Sequence, residues 1–360
     1  EDTLSLHDAL PIFSVMWLVL GYTLAFTTGS PFLGDLSRVF GQNLFNKNVF
    51  AIAPTVPEAV YFLFQMSFAV IATALVIGAT AERQRLSTTI GFAALWVIVV
   101  YAPVAHWIWH PLGWLDAMGH MDWAGGAVVH ITAGVSGLVA AKMMGARQGF
   151  PTEPMPPHNL MITMLGACFL WLGWFGFNGG GALAIGTAAT TQVIFVTFLA
   201  GCVGALTWIA FETIVYKKSS SLGLVTGAVV GLVAITPAAG YVGLNAALVM
   251  PAIASILCLM TLRMVKKVFG IDDSLDVFAV HGMGGLIGTL LTPLFAFQDT
   301  AKAFNGMMIN AFGATVVGVY AAIATAIILL VLKPITGWRV DPVSEEVGLD
   351  LSQIGETLEA

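Results

Sequence analysis

The stretch Asp122-Trp-Ala-Gly-Gly-Ala-Val-Val-His130 places a histidine inside a segment that is otherwise apolar enough to lie in lipid. A second stretch, Asp273-Ser-Leu-Asp-Val-Phe-Ala-Val-His281, repeats the spacing from aspartate to histidine and the Val-His step. The glycines that follow also correspond: Gly134 and Gly137 in the first copy, Gly285 and Gly288 in the second. Ionisable residues in membrane segments face a cavity or a partner, which makes them candidates for functional sites. We therefore predict an internal duplication around two buried histidines that face each other.

Composition indicates a membrane protein. Of the 360 residues, 58% are hydrophobic and 9% are charged, compared with about 25% charged residues in soluble domains. The formal net charge of -6 favours no nucleic-acid partner. Cys168, Cys202 and Cys258 lie in apolar segments without paired spacing. We interpret them as small buried hydrophobic residues that form neither a disulfide nor a metal site.

Apolar windows long enough to cross a hydrocarbon core, about 20 residues each, occur ten times along the chain. They are 12–28, 59–80, 87–109, 124–143, 159–178, 189–216, 222–241, 244–265, 276–297 and 306–332. The sequence thus predicts an all-α, polytopic membrane protein with ten transmembrane helices. The membrane domain covers 12–332 and a polar, acidic tail covers 333–360. Residues 1–11 are polar and lack a starting methionine, so we interpret them as a truncated or non-native N-terminus.

Lysine and arginine accumulate in short cytoplasmic loops. If residue 1 is cytoplasmic, eleven of these residues lie inside and three lie outside. The inside set is Arg83, Arg85, Lys142, Arg147, Lys217, Lys218, Arg263, Lys266, Lys267, Lys333 and Arg339, and the outside set is Arg38, Lys47 and Lys302. Both ends then face the cytoplasm. The His130 segment enters the membrane from outside and the His281 segment from inside, so the repeat is inverted.

Transporters built from inverted repeats place their sites at the membrane midplane, where the two halves meet. Each histidine lies roughly 10 Å from the edge of its own helix, in a core about 30 Å thick. Two neutral imidazoles in contact can share a hydrogen bond and can accept or relay a proton. A single histidine in a membrane helix is more often a packing residue, but the matched spacing favours a paired site.

Acidic residues stand at the start of both histidine helices. Asp122 is expected to accept backbone N–H groups there as an N-cap. It is also expected to supply negative potential to an approaching cation. Asp276 is expected to have the corresponding structural role at the start of the second helix, with two further aspartates nearby.

Aromatic side chains cluster at the outer ends of three segments. The clusters are Phe62, Phe64 and Phe68; Trp107, Trp109 and Trp114; and Trp171, Trp174, Phe175 and Phe177. They are consistent with a simple aromatic belt at the lipid interface. Alternatively, their ring faces bind a small cation at about 0.5–2 kcal/mol each.

Together these residues resemble the ammonium transporter family, the Amt/Rh proteins, from about Ile12 to Asp350. The motifs that carry the resemblance are Asp122 to His130, Trp174-Phe-Gly-Phe-Asn178, Thr236-Pro-Ala-Ala-Gly-Tyr241, Asp276-Val-Phe-Ala-Val-His281-Gly and Gly337-Trp-Arg-Val340. Family members have eleven membrane helices in an inverted arrangement and form trimers with one pore per subunit. The resemblance implies a homotrimer in the cell (inner) membrane that lacks the first helix and the start of the second. It also implies a protein that is not an enzyme and has no cofactor and no metal site.

The resemblance also assigns roles to single residues. It implies that Trp109, Phe68 and Phe177 surround an outer ammonium site, with the two phenylalanines stacked as its gate, and that His130 and His281 line the pore below. The remaining candidates are Phe64 and Trp174 at the outer site, and Asp122, Asp276, Thr236 and Gly181 as supporting residues. The family often has a serine at the position of Gly181, so restoring serine is expected to tighten the affinity for ammonium.

The resemblance predicts transport of ammonium or ammonia into the cytoplasm. The tail motif, Arg339-Val340 through Gly348-Leu349-Asp350, looks like the segment on which PII-type nitrogen signal proteins act, whereas composition alone favours a solvated tail. One alternative is an ammonium sensor that signals through this tail to a soluble partner. Another is an intramembrane enzyme that uses the histidines with a metal, although no third ligand has a usable spacing.

Overall fold

The structure is a computed structural model and describes residues 9–45 and 49–355. The interpretation of residues 1–11 as a truncated N-terminus concerns mainly residues 1–8, which lie outside the described ranges. Lys47, assigned above to the outer side, also lies outside them.

Within the described residues, eight helices are long and apolar enough to cross a membrane, and two further apolar helices are shorter. The membrane helices are α1 Pro11–Phe26, α2 Glu58–Gly78, α3 (residues 86–109), α5 Gly126–Met144, α6 Leu160–Gly180, α7 Ala188–Tyr216, α8 Ser221–Ile235, α9 Leu244–Val268, α10 Phe278–Ala296 and α11 Thr300–Thr336. The shorter helical segments are a 3-10 turn at Val39–Gly41, α4 Trp114–Ala117, α12 Pro342–Val347 and α13 Asp350–Ile354. The described strands are β1 Val49–Phe50 and β2 Ala53–Pro57, which pair antiparallel. The predicted all-α membrane fold is confirmed.

Each predicted window overlaps one of these helices, and window 222–241 extends beyond the end of its helix. Helix α8 ends at Ile235, and the chain continues through turns as far as Tyr241. Pro237 has no N–H to donate, so it cannot continue the i to i−4 hydrogen bonds of the helix. The helix therefore stops early, and the carbonyl of Pro237 accepts a hydrogen bond from the backbone N–H of Trp123 at 3.0 Å.

Helices α5 and α10 approach each other through glycine. A side chain on Gly134 would overlap the backbone of Gly282, and one on Gly285 would lie 2.7 Å from the carbonyl oxygen of Gly126. Small residues allow helices to approach this closely in lipid. The two helices that carry the histidines are therefore in direct main-chain contact.

Helix α6 lies at the surface of the bundle, and most of its side chains are exposed. Cys168 is consequently exposed and Cys202 is partly exposed, while Cys258 is buried. The prediction that all three cysteines are buried is wrong for the first two. Apolar residues of a membrane helix need not be covered by protein, because lipid tails are as apolar as a leucine side chain.

A network of arginines joins the loops at the end of the bundle opposite Asp122. Arg147 forms a bidentate ion pair with Asp272, with Nε–Oδ2 and Nη2–Oδ1 distances of 2.9 Å. Arg83 is fully buried and donates to the carbonyls of Gly145 and Asp272 and to Ser274 Oγ. These contacts tie the loops after α2, α5 and α9 to one another.

The tail packs against these loops. The N–H of Val340 donates to the carbonyl of Arg83 at 3.1 Å, and Arg85 Nε donates to the carbonyl of Arg339 at 3.0 Å. Glu345 accepts a hydrogen bond from the N–H of Gln148 at 2.9 Å. The interpretation of a purely solvated tail is therefore wrong for the described part, because its backbone and side chains pair with the loops.

Replacing Asp272 with alanine is expected to lower the free energy of unfolding by about 3 kcal/mol, because it leaves the Arg147 guanidinium largely buried without its main partner. Thermal unfolding in detergent measures this change, and Glu346→Ala, which removes an exposed tail carboxylate, is the matched control. Equal unfolding temperatures for the two variants would contradict the expectation.

The same ion pair gives a pH dependence. Burial alone raises the pKa of Asp272, but the hydrogen bonds and the charge of Arg147 outweigh it and hold that pKa below its usual value. A carboxylate with a lowered pKa stabilises the fold above about pH 4 and loses that contribution as the pH falls further. The difference between wild type and Asp272→Ala should therefore shrink on acidification.

Candidate functional site

Asp122 holds the start of α5. Its carboxylate accepts four backbone hydrogen bonds: Oδ1 from Gly125 at 2.8 Å and Gly126 at 2.7 Å, and Oδ2 from Ala127 at 2.8 Å and Val128 at 3.1 Å. The first N–H groups of a helix have no partner within the helix. A buried carboxylate at this position satisfies them and also interacts favourably with the positive end of the helix dipole.

Asp273 stands at the matching position before α10, but only one of its carboxylate oxygens is paired, and Oδ1 has no hydrogen-bond partner among the described residues. Its Oδ2 accepts a hydrogen bond from the N–H of Phe278 at 2.7 Å. The Asp276 carboxylate instead forms an ion pair with Lys266 of α9 at 2.8 Å, from a backbone with φ of +58°. The expectation that Asp276 matches Asp122 is therefore wrong. The residue at the matching distance from the histidine is Asp273, and Lys266 draws the side chain of Asp276 away.

The structure brings His130 and His281 together, each in a wide π-helical turn. Their Nδ1 atoms lie 3.2 Å apart, and both side chains are buried. One Nδ1 must donate and the other must accept, so one ring exposes an Nε2 lone pair and the other an Nε2–H. His130 Nε2 is buried and has no hydrogen-bond partner among the described residues.

The histidine pair lines a cavity of about 620 Å³ between α2 and α6. Its other walls are mainly apolar and include Ile71, Leu75 and Val229. Phe169 and Leu170, which are exposed at the bundle surface, also line it. The cavity therefore opens at the surface of the bundle along α6.

A smaller pocket of about 130 Å³, called here the outer pocket, lies on the Asp122 side of this cavity. Trp109, Phe64 and Phe68 line it, as do Gln65 and Gly181. The Phe68 ring lies edge-on to Trp109, with centroids 5.5 Å apart. Trp109 Nε1 donates to the backbone carbonyl of Asp122 at 2.9 Å. The residue that caps α5 therefore also fixes the tryptophan of the outer pocket.

Phe177 separates the outer pocket from the histidine cavity. Its ring centroid lies 4.2 Å from that of Phe68, with an angle of 31° between the planes. Trp174 lies further inward, with its ring 5.6 Å from His130, and its Nε1 donates to Thr236 Oγ1 at 2.9 Å. The placement of Trp174 at the outer site is therefore wrong, because residues three apart on a helix lie about one turn apart along its axis.

Trp123 lies in the site, although the sequence motifs did not predict a role for it. It lines the outer pocket, and its Nε1 donates to the carbonyl of Asn178 at 2.9 Å. The ring occupies the space beside Gly181 and Gly240, and side chains at those positions would overlap it. Three features of the sequence could have indicated this residue: its position directly after Asp122, the glycine at position 181, and Gly240 in the Thr236–Tyr241 motif.

The described residues were compared with the metal alternative raised above. Within residues 9–45 and 49–355, no three His, Cys, Asp or Glu side chains are grouped to hold a metal ion.

Comparison with known proteins assigns the family. The model of the Ammonium Transporter Family matches residues 3–359. The chain belongs to this family. It is 40% identical to an ammonium transporter of Bacillus subtilis (strain 168), over 97% of this chain and 87% of that protein. It is also 40% identical to an ammonium transporter of Aquifex aeolicus (strain VF5), over 97% of this chain and 82% of that protein.

Solved structures of similar proteins have the same fold. The Sensor Amt Protein superposes with a TM-score of 0.88 at 30% identity, over 96% of this chain and 88% of that one. The crystal structure of Saccharomyces cerevisiae Mep2 gives a TM-score of 0.85 at 32% identity, over 93% and 81%. This ammonium transporter family member is therefore a multi-pass membrane protein, and its family membership supports ammonium as the substrate.

The structure changes the expectation for Gly181→Ser. A Cβ at this position would lie 2.7 Å from Trp123 Nε1, so serine must displace the indole before its hydroxyl can reach the pocket. Serine alone is expected to leave the apparent affinity for methylammonium unchanged or weaker. In a Trp123→Phe background it should act more favourably, which a double-mutant cycle of transport kinetics measures. Equal tightening of affinity in both backgrounds would show that the indole imposes no steric limit.

Proposed function

We propose that this protein conducts ammonium into the cytoplasm by separating a proton from the cation and passing neutral ammonia along an apolar path. The observation that carries the proposal is the pair of buried imidazoles, with Nδ1 atoms 3.2 Å apart, on the inner side of a small aromatic pocket. Family membership supports the substrate, and the geometry supports the order of steps.

The ammonium cation first binds in the outer pocket. The faces and edges of Trp109, Phe64 and Phe68 surround it, and cation–π contacts offset the loss of water by about 0.5–2 kcal/mol each. Gln65 Oε1 is buried and has no hydrogen-bond partner among the described residues, so it is available to accept an N–H of the cation. The carboxylate of Asp122 adds negative potential without touching the bound ion.

The Phe68 and Phe177 rings form the next barrier. Their close contact must open for any molecule to pass, and the cavity beyond them is mainly apolar. An ion that enters this region loses its hydration and gains few polar partners in return, which is costly. The free energy of desolvation is far smaller for a neutral molecule of the same size, so this segment favours ammonia over ammonium.

The histidine pair then receives the proton. The Nε2 lone pair of one ring is the acceptor, and the Nε2–H of the other ring can donate to the lone pair of ammonia. The accepted proton must leave the pair again before the next cation is deprotonated. The shared Nδ1 contact lets the pair hold one proton while it resists a second, because like charges repel. Potassium has no proton to lose, so the same path rejects it.

We also propose a membrane orientation and an assembly. The excess of basic residues at the Arg147 end supports a cytoplasmic location for that end and for the tail, in the cell (inner) membrane. The resemblance to the family supports a homotrimer with one path per subunit.

A second role, signalling through the tail, is supported by the packing of the tail against the loops. A cavity of about 550 Å³ lies between α12 and the loop after α5, and Glu153 and Glu346 line it on opposite sides. We propose that a PII-type signal protein docks at this surface, and the similarity to the Sensor Amt Protein favours the same role.

Charge reversal tests the docking proposal. Both carboxylates are exposed, so Glu153→Lys combined with Glu346→Lys should weaken binding of a PII-type protein by tenfold or more, roughly 1.4 kcal/mol, in a biosensor assay. Lys302→Glu at the opposite end of the bundle is the control. If the double variant and the Lys302→Glu control bind the PII-type protein equally well, the proposed docking surface is wrong.

Replacing both His130 and His281 with alanine tests the transport mechanism. Without an acceptor for the proton, the expected result is either loss of ammonium uptake or entry of potassium along with ammonium. Uptake and current are measured in proteoliposomes with ammonium and with potassium gradients.

His158→Ala, a substitution at an exposed histidine outside the site, is the matched control and should transport as wild type. If the double variant keeps both the rate and the selectivity of wild type, the histidine pair takes no part in conduction.

A further inference from the structure

Residues 118–125 form turns and bends between α4 and α5, and they include Asp122. Buried backbone groups outside helices and strands still need hydrogen-bond partners. Here the partners come from other parts of the chain: the N–H of His120 donates to the carbonyl of Leu115 at 3.1 Å, and that of Trp123 donates to the carbonyl of Pro237 at 3.0 Å. The position of Asp122 is therefore set by contacts outside its own helix.

Asn310 of α11 binds both main-chain groups of the residue that precedes Asp122. Its Oδ1 accepts a hydrogen bond from the N–H of Met121 at 2.8 Å, and its Nδ2 donates to the carbonyl of Met121 at 3.0 Å. The side chain of Asn310 is fully buried, where an unpaired polar group is costly. One amide group thus pairs with Met121 in the way that a neighbouring antiparallel β-strand would.

The same amide also binds helix α10, which carries His281. Pro293 lies inside α10, four residues after Thr289, and has no N–H. The carbonyl of Thr289 thus lacks its usual helical donor, and Asn310 Nδ2 donates to it at 2.7 Å. Asn310 therefore joins the segment before Asp122 to the helix of the second histidine.

Helix α11 approaches both of these partners closely. A side chain on Gly306 would lie 2.8 Å from the Cβ atom of Pro293, and one on Gly313 would overlap the ring of His120. Asn310 lies between the two glycines, about one turn from each. The amide is therefore held at a fixed place between the two elements that it binds.

We propose that Asn310 is a positioning residue for the outer pocket and acts on it through Met121. Asp122 directly follows Met121, and its carbonyl accepts the indole N–H of Trp109 at 2.9 Å. A shift of Met121 therefore moves the acceptor that fixes Trp109. Among the described residues, those that line the outer pocket do not include Asn310, so it acts only through these contacts. The inference rests on the proposed role of the outer pocket as the place where the cation first binds.

Methylammonium binding and uptake by the Asn310→Asp variant test this proposal. Aspartate has the shape of asparagine but no N–H group, so the carbonyls of Met121 and Thr289 both lose a donor. We expect the affinity for methylammonium to fall by about tenfold, because Trp109 is no longer fixed. The maximal uptake rate should change little, because the histidine pair is not contacted. Calorimetric titration of the full chain in nanodiscs measures the affinity, and uptake into proteoliposomes measures the rate.

Pro293→Ala separates the two contacts of the amide. Alanine supplies the missing N–H in α10, so the carbonyl of Thr289 no longer depends on Asn310. In this background, Asn310→Asp should lower the unfolding temperature less than in wild type, but it should weaken methylammonium binding by the same factor. If the loss of affinity disappears together with the loss of stability, the effect comes from α10, and the role assigned to Met121 is wrong.

Thr325→Val is the matched control on the same helix. It removes a buried hydroxyl that donates to Ser136 Oγ at 2.8 Å, and its position is roughly 22 Å along α11 from Asn310. This variant should lower the unfolding temperature without a change of affinity. If it weakens methylammonium binding as much as Asn310→Asp does, the effect is a general loss of packing, and the positioning role is wrong.

Asn310→Gln decides the question if the aspartate variant does not fold. Glutamine keeps the donor and the acceptor but places them one carbon further from the helix. It should therefore displace Met121 and weaken methylammonium binding, again with little change of the maximal uptake rate. An unchanged affinity in the folded Asn310 variants would contradict the proposal.

Binding measurements also separate this inference from the transport mechanism. In the background of His130→Ala with His281→Ala, Asn310→Asp should still weaken methylammonium binding, because the contact between Phe68 and Phe177 lies between the outer pocket and the histidines. If the histidine pair proves irrelevant to uptake, this result still stands. An unchanged affinity would overturn the role of Asn310 alone.

Discussion

The interaction on which the site depends is the binding of four backbone N–H groups by the Asp122 carboxylate. It lets a helix begin in a buried position, where unpaired N–H groups would otherwise be costly. The same residue holds Trp109 through its backbone carbonyl. One aspartate therefore sets both the start of the helix that carries His130 and the wall of the outer pocket. Asp273 provides the matching start for the helix that carries His281.

The indole N–H groups of two tryptophans beside the cavity are paired with acceptors on other parts of the chain. Thr236 accepts the indole N–H of Trp174, and Asn178 accepts that of Trp123 through its carbonyl. These bonds fix large rings in place without exposing charge to the cavity. Because the two indole rings are held in fixed positions, the size and the polarity of the space beside them do not depend on a mobile side chain.

The duplicated spacing predicted much of the fold and part of the site. The helical windows, the contact between the histidines and the capping role of Asp122 all follow from periodicity and from spacing between residues. The sequence does not show which of the three aspartates near α10 caps the helix. The answer depends on Lys266, which comes from another helix and is positioned by tertiary packing. The depth of Trp174, the side opening of the cavity and the contacts of the tail likewise depend on which elements meet. Trp123 was missed because its partners, Gly181 and Gly240, are far apart in the chain.

The main-chain contact between Gly134 and Gly282 has a consequence for how this scaffold can diverge. Gly282 directly follows one histidine, and Gly134 lies about one turn beyond the other, so the contact between the two backbones sets how closely the two histidine-bearing turns approach. In the proposed mechanism, changes in the rings at the entrance can alter which cations are admitted while the approach of the two turns stays constant. Under that mechanism, substrate range and proton chemistry are carried by separate parts of the molecule, and selection can adjust the first without disturbing the second.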